Sequence, residues 1–157
     1  MSTMHTIIEA LAPEAREALL ARSHQVTFPA GSRVFNEHRR AEKFWIIQCG
    51  TVDLDTHVPG RKNVVVDTLG HGELLGRSWM FPPYSRHLGA TASHRVRALE
   101  FDAAAVRELC NEDSAVGRSV STAVAAVIAD RLDSARTRLL DLFAPCGGSG
   151  NPLAYAR

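Results

Sequence analysis

Cysteine is scarce in this chain. Three residues, Cys49, Cys110 and Cys146, lie far apart in 157. They form no disulfide framework and no C-x-x-C zinc pair, and they fall short of the four thiolates a cubane iron–sulfur cluster usually takes. Bland thiols of this kind suit a reducing cytoplasm. Long apolar runs are missing as well. No stretch approaches the ~20 residues of a membrane span, and the N-terminal MSTMHTIIEALAPEAREALLARS has no basic block ahead of an apolar core, so no secretion signal is expected. Nor is there a surplus of one charge. Eighteen Lys and Arg against 17 Asp and Glu leave +1 with histidines neutral, which offers no strong field to nucleic acid or an anionic membrane. The seven histidines include no H-x-H pair; Ser78, Ser85 and Ser93 lie in no G-x-S-x-G pattern, and no dinucleotide fingerprint is present. Neither a metal site nor an enzyme is expected.

What remains is a globular composition, 45% apolar and 22% charged, in a length that suits one domain. Ile7, Ile8, Leu11, Leu19 and Leu20 fall at helical spacing, and Pro13 fits a first helical turn. After Ser23 the period becomes two. Val26 and Phe28 alternate with polar residues, Pro29-Ala30-Gly31 turns the chain, and Val34-Phe35 follow. Phe44-Trp45-Ile46-Ile47 ends at Gly50; Val52 and Leu54 then lead to a turn at Pro59-Gly60 and a return strand from Val64. A glycine-rich run, Leu69 to Gly76, precedes the bulky Trp79, Met80, Phe81, Pro82, Pro83 and Tyr84, and alternation resumes from Ala90 to Phe101. Short strands with such frequent turns predict a small barrel, roll or sandwich.

The last third reads as helix. Asp102 is a plausible cap for Ala103 to Cys110, and Asp113 or Ser114 for a longer helix ending near Phe143. That helix, roughly 30 residues or about 45 Å long, carries Val116, Val120, Ala123, Val127, Ala135, Leu139 and Leu142 in one seam. A roll this small does not cover it all, so the seam predicts a homodimer, the alternative being packing on the chain's own roll. Residues 144–157, rich in glycine and proline, read as a flexible tail too short for a helix-turn-helix, so direct DNA binding is not expected.

Several pieces in order resemble the cyclic-nucleotide-binding domain of the catabolite-activator family. They are Phe28-Pro29-Ala30-Gly31 with Val34-Phe35; Phe44-Trp45-Ile46-Ile47 with Gly50, Val52 and Leu54; Leu69-Gly70, Gly72-Glu73 and Leu75-Gly76; and Arg131-Leu132, Ala135 and Arg138-Leu139-Leu140-Asp141. The resemblance covers roughly residues 7–143. It implies an α+β fold: an antiparallel β-roll (24–101) with N-terminal helices, a phosphate-binding cassette at about 72–91, and C-terminal helices (103–143) ending in a long dimerisation helix. It further implies a regulatory domain that binds cAMP, cGMP or another anionic ligand and signals through an unidentified protein partner. The alternative is a ligand-less dimeric scaffold with an occluded cassette.

In such domains a glycine and a glutamate open a short cassette helix whose N–H groups face the phosphate. The glutamate accepts from the ribose, and an arginine about ten residues later pairs with the phosphate. Gly76 matches the glycine, but Arg77 stands at the glutamate. A guanidinium has no acceptor capacity, and losing a hydrogen bond worth ~1.5–3 kcal/mol weakens binding about 10- to 100-fold. The usual spacing lands on His87, with Arg86 adjacent. The candidate ligand-binding residues are therefore Gly72, Glu73, Leu75, Gly76, Arg77, Ser78, Trp79, Tyr84, Arg86, His87, Ala90 and Thr91. Trp79 or Tyr84 is placed either as a platform for a planar ligand or as filler of the roll, and Glu73 as a turn residue rather than a ligand.

Overall fold

The computed structural model describes residues 7–143; the expected tail lies outside them. Contacts divide the chain into two units, Met1–Val124 and Ala125–Arg157. The first begins with two short helices, α1 (Ile7–Ala10) and α2 (Pro13–Leu20), with Pro13 at the start of α2. Ile7, Leu11 and Leu19 are buried, whereas Leu20 is exposed.

Eight antiparallel strands follow: β1 (His24–Phe28), β2 (Arg33–Phe35), β3 (Lys43–Cys49), β4 (Val52–Thr56), β5 (Val64–Leu69), β6 (Leu74–Leu75), β7 (Gly89–Ala92) and β8 (Val96–Asp102). They form two four-stranded sheets, ordered β1-β8-β3-β6 and β2-β7-β4-β5. The stretch from Ala90 to Phe101, a single alternating segment in the sequence, is two strands in different sheets. Between the sheets lies a core that includes Trp45, Ile47, Val52, Leu54, Leu75, Ala90, Ala92 and Ala98.

β3 is buried on both faces, which explains its unbroken apolar run. Trp45 and Ile47 point into the roll. Phe44 and Ile46, with the opposite parity, meet Ile7, Leu11 and Leu19 of the N-terminal helices. On this outer side Phe44 stacks on Phe101, with ring centroids 4.8 Å apart.

The strands end at α3 (Ala103–Glu112), whose first turn is capped by Asp102 accepting from the Ala105 N–H at 3.2 Å. Asp113 accepts from the N–H groups of Ala115 and Val116 at the start of α4 (Ser114–Phe143). Val120, Ala123 and Val124 line the outer apolar layer beside Phe44, and Val116 is also buried. Three residues of the expected dimer seam, Val116, Val120 and Ala123, are thus spent on the chain's own core. In the second unit, 125–143 is helical, Val127 is half-buried and Ala135 is exposed. Leu132, Leu139, Leu140, Leu142 and Phe143 are exposed, the last two at 80% and 79%.

Gly50 closes the β3–β4 turn at φ +90°, and a Cβ there would overlap the Arg95 carbonyl. Gly50→Ala is expected to lower the unfolding free energy by at least about 1–3 kcal/mol in urea denaturation; an unchanged midpoint would contradict this close approach.

Candidate functional site

The cassette begins in the glycine-rich turn before β6. The Gly72 N–H donates to the Ile47 carbonyl at 2.7 Å. The Glu73 carboxylate accepts from the Gly70 N–H at 2.6 Å, so Glu73 serves the turn. Leu75 is fully buried in the roll core. Gly76, at φ +91°, then turns the chain into a single 3-10 turn, Arg77–Trp79. Arg77 and Ser78 are half-buried on that turn.

The bulky segment does not fill the roll. Trp79 is 1% exposed and stacks on Phe44 at 4.2 Å, in the outer layer that Val120, Ala123 and Val124 also line. Of the two placements the sequence left open, ligand platform or filler of the roll, Trp79 takes neither inside the roll: it is buried against Phe44 on the outer side of β3. Tyr84 is half-buried with φ +56°. The Arg107 guanidinium of α3 lies 4.3 Å over the Tyr84 ring and donates to the Trp79 carbonyl at 2.6 Å, so Tyr84 already has a cationic neighbour. The Pro82–Pro83 bond is cis.

Arg86, and not His87, turns inward. Arg86 is 3% exposed, and His87 faces out. The backbone accounts for the choice. The Arg86 N–H donates to the Arg39 carbonyl at 2.8 Å, the Arg86 carbonyl accepts from the His38 N–H at 2.7 Å, and Ala41 N–H donates to the Tyr84 carbonyl at 2.6 Å. This short ladder fixes the parity of the segment and sends residue 86 toward the roll. Its guanidinium lies directly behind Gly76, where any Cβ would overlap it. A glycine suits this position because its φ of +91° strains any other residue, and a side chain there would also have to displace the guanidinium.

The guanidinium rests on aromatic rings, with Cζ 4.2 Å from the Phe35 centroid and 5.5 Å from that of Trp45. Phe35 and Trp45 are themselves stacked at 5.7 Å. Nη2 donates to the Lys43 carbonyl. Nε and Nη1 are buried and find no hydrogen-bond partner among the described residues. Desolvation pushes the group down to about 10. It therefore remains a cation at neutral pH, and one without a carboxylate partner among the described residues.

Ala90 lies in the roll core, and the Thr91 hydroxyl accepts from Arg33 Nη1 at 2.8 Å. Arg33 also grips the buried Asp55 with both terminal nitrogens. This pair supports β7. Among the described residues no group of three or more His, Cys, Asp or Glu is placed to hold a metal ion. No described helix is long and apolar enough to cross a membrane.

Phe35, Trp45 and Lys43 did not stand out as site residues in the sequence. Nor did Glu100, a carboxylate 8% exposed that accepts from Trp45 Nε1 at 2.9 Å. Burial pushes its pKa up, but hydrogen bonds from Lys43, Trp45 and His24 outweigh this and leave it below its ordinary value. The sequence signal was an acidic residue at an inward parity in Val96–Asp102, the strand that runs VRALEFD.

Two outcomes follow. A buried cation with two orphaned donors costs about as much as its contacts return, so Arg86→Met is expected to unfold at an equal or higher temperature, with a gain of up to about 3 kcal/mol. A clear loss of stability would show that the arginine serves the fold. A carboxyl with a depressed folded pKa contributes stability that is complete above its unfolded value and is lost as pH falls through the folded one. Glu100→Gln is therefore expected to be less stable than the unsubstituted protein at pH 7, with the gap closing below about pH 4; a pH-independent gap in urea unfolding would refute this.

A model of the cyclic nucleotide-binding domain matches residues 25–113, more than half of the chain. A CRP-like cAMP-activated global transcriptional regulator of Mycobacterium tuberculosis is 28% identical over 136 residues, covering 87% of this chain and 59% of the relative. The chain thus spans about three fifths of the length of the curated relatives it matches. In fold it is similar to a cyclic nucleotide-binding domain from Methylobacillus flagellatus, with TM-score 0.78, 16% identity and coverage of 92% of this chain and 82% of that one. It is also similar to the Thermus thermophilus catabolite activator protein, with TM-score 0.71, 24% identity and coverage of 88% and 63%. The matched relatives are regulators and not enzymes. With its two-sheet roll, glycine-led cassette and inward arginine, the chain belongs to the cyclic nucleotide-binding domain family.

Proposed function

We propose that this domain binds a small anionic ligand at Gly76, with cAMP or cGMP the first candidates, and passes its occupancy to a protein partner. The observation that carries this reading is Arg86: a buried cation with Nε and Nη1 unpartnered, held behind a glycine at the start of a cassette turn. An anion is the one partner that would satisfy both the charge and the orphaned donors. Arg77 sets the limits of the reading. It brings donors where a ribose hydroxyl needs an acceptor, so cyclic nucleotides should bind more weakly than in relatives with a carboxylate there.

The output is proposed to pass through the second unit. Leu132, Leu139 and Leu142 are exposed on its helix at spacings of seven and three, which favours pairing with a second copy. A net charge of +1 provides no basic field for DNA, which favours a protein partner. The free thiols of Cys49 and Cys110 fit a cytoplasmic setting. The ligand-less scaffold is the second reading; Arg77 favours it, and Arg86 counts against it.

Calorimetric titration with cAMP and cGMP up to millimolar concentration separates the two. Saturable binding that Arg86→Met weakens at least about 10-fold supports the ligand-responsive reading. Absence of binding with either nucleotide favours the scaffold. Arg77→Glu is expected to tighten cyclic nucleotide binding about 10- to 100-fold by restoring an acceptor. Weaker binding in that variant would show that Arg77 itself holds the ligand.

A further inference from the structure

The site has a support on the far side of Trp45. Glu100 on β8 pairs directly with His24 of β1 and Trp45 of β3, and Trp45 pairs in turn with Leu75 of β6. Cross-strand partners share a face, so one row runs across the sheet from an acidic residue to the doorstep of Gly76. Glu100 Oε2 accepts from Trp45 Nε1 at 2.9 Å, while Oε1 accepts from Lys43 Nζ and bonds His24 Nε2, both at 3.0 Å. The indole cannot rotate without orphaning its N–H in a buried place. Its face, stacked within 13° of Phe35, forms part of the shelf on which the Arg86 guanidinium lies.

We infer that Glu100 is a positioning residue for anion binding: it locks the Trp45 indole, and the locked indole holds the Arg86 guanidinium in place behind Gly76. Glu100 bonds the shelf and not the arginine, which stays uncompensated and available to a ligand. Lys43 reaches the arginine by its carbonyl, which the β3 backbone places. This inference rests on the reading of Arg86 as the ligand's counter-charge.

The test is a double-mutant cycle read by calorimetric titration with cAMP, at a temperature where each variant is folded. Glu100→Leu is expected to weaken binding about 10-fold in the natural background and by less than about 2-fold in Trp45→Phe, because neighbours acting through one another are not additive. Glu100→Gln, whose amide oxygen still accepts from the indole, should restore affinity to within about 3-fold. If Glu100→Leu does not fold, Trp45→Phe alone, which drops the N–H and keeps a ring, should bind about 10-fold more weakly. Equal losses in both backgrounds, or natural affinity in Glu100→Leu, would overturn the inference while leaving the binding reading intact. No binding by the unsubstituted protein would overturn the binding reading and this inference with it.

Discussion

An arginine taken out of water needs an acceptor for each donor and a charge to answer its own. Arg86 has one carbonyl and two aromatic rings. Much of the surrounding structure follows from tolerating it. Residue 76 is glycine at a φ of +91°, and the guanidinium lies in the space a side chain would take. The backbone of 84–86 is tied to 38–41 on both sides, which keeps the arginine turned inward. Phe35 and Trp45 offer ring faces where a salt bridge would otherwise be expected. A protein selected for stability alone would place a carboxylate or an apolar side chain here; a buried cation whose Nε and Nη1 lack partners among the described residues is the feature on which the proposed anion site rests.

The two faces of β3 divide the labour. Inward, Trp45 and Ile47 join the roll core and the shelf under Arg86. Outward, Phe44 and Ile46 join an aliphatic and aromatic layer with the N-terminal helices, Trp79 and the first turns of α4. The cassette touches both. Gly76 opens over the inner site, and Trp79, three residues later, is anchored in the outer layer, with Arg107 fastening its carbonyl to α3. A ligand that repositioned Gly76 would therefore act on a segment already packed against the start of the long helix. In the proposed reading, the link between site and helix is this side-chain packing within the first unit.

Much of the fold was legible because periodicity and turn chemistry agreed. Val26–Phe28, the Phe44–Ile47 run, the turns at Gly31 and Gly50, and the caps Asp102 and Asp113 all read locally, and the structure places them as expected. The site was less legible. The spacing from Gly76 pointed to His87, and only the backbone ladder with residues 38–41, distant in sequence, decides for Arg86. Trp79 could be read as a ligand platform or as filler of the roll, because a bulky cassette residue and a buried anchor have the same sequence signature. The long helix carried one continuous seam, yet Val116, Val120 and Ala123 are buried by the chain itself while Leu139 and Leu142 are exposed. Glu100 gave no local sign beyond its parity, because its partners come from three positions on two other strands.

The claim at the centre is that the Arg86 guanidinium is protonated, buried and short of acceptors until an anion binds. Proton–nitrogen NMR of the arginine side chains reads it most directly, with Arg86 assigned by its loss in Arg86→Met. The account predicts an Arg86 Nε–H signal protected from solvent exchange in the free protein, which shifts downfield on saturation with cAMP as a charge-assisted hydrogen bond forms. A signal that exchanges freely with water, or one that cAMP leaves in place while nucleotide binds elsewhere, would contradict it.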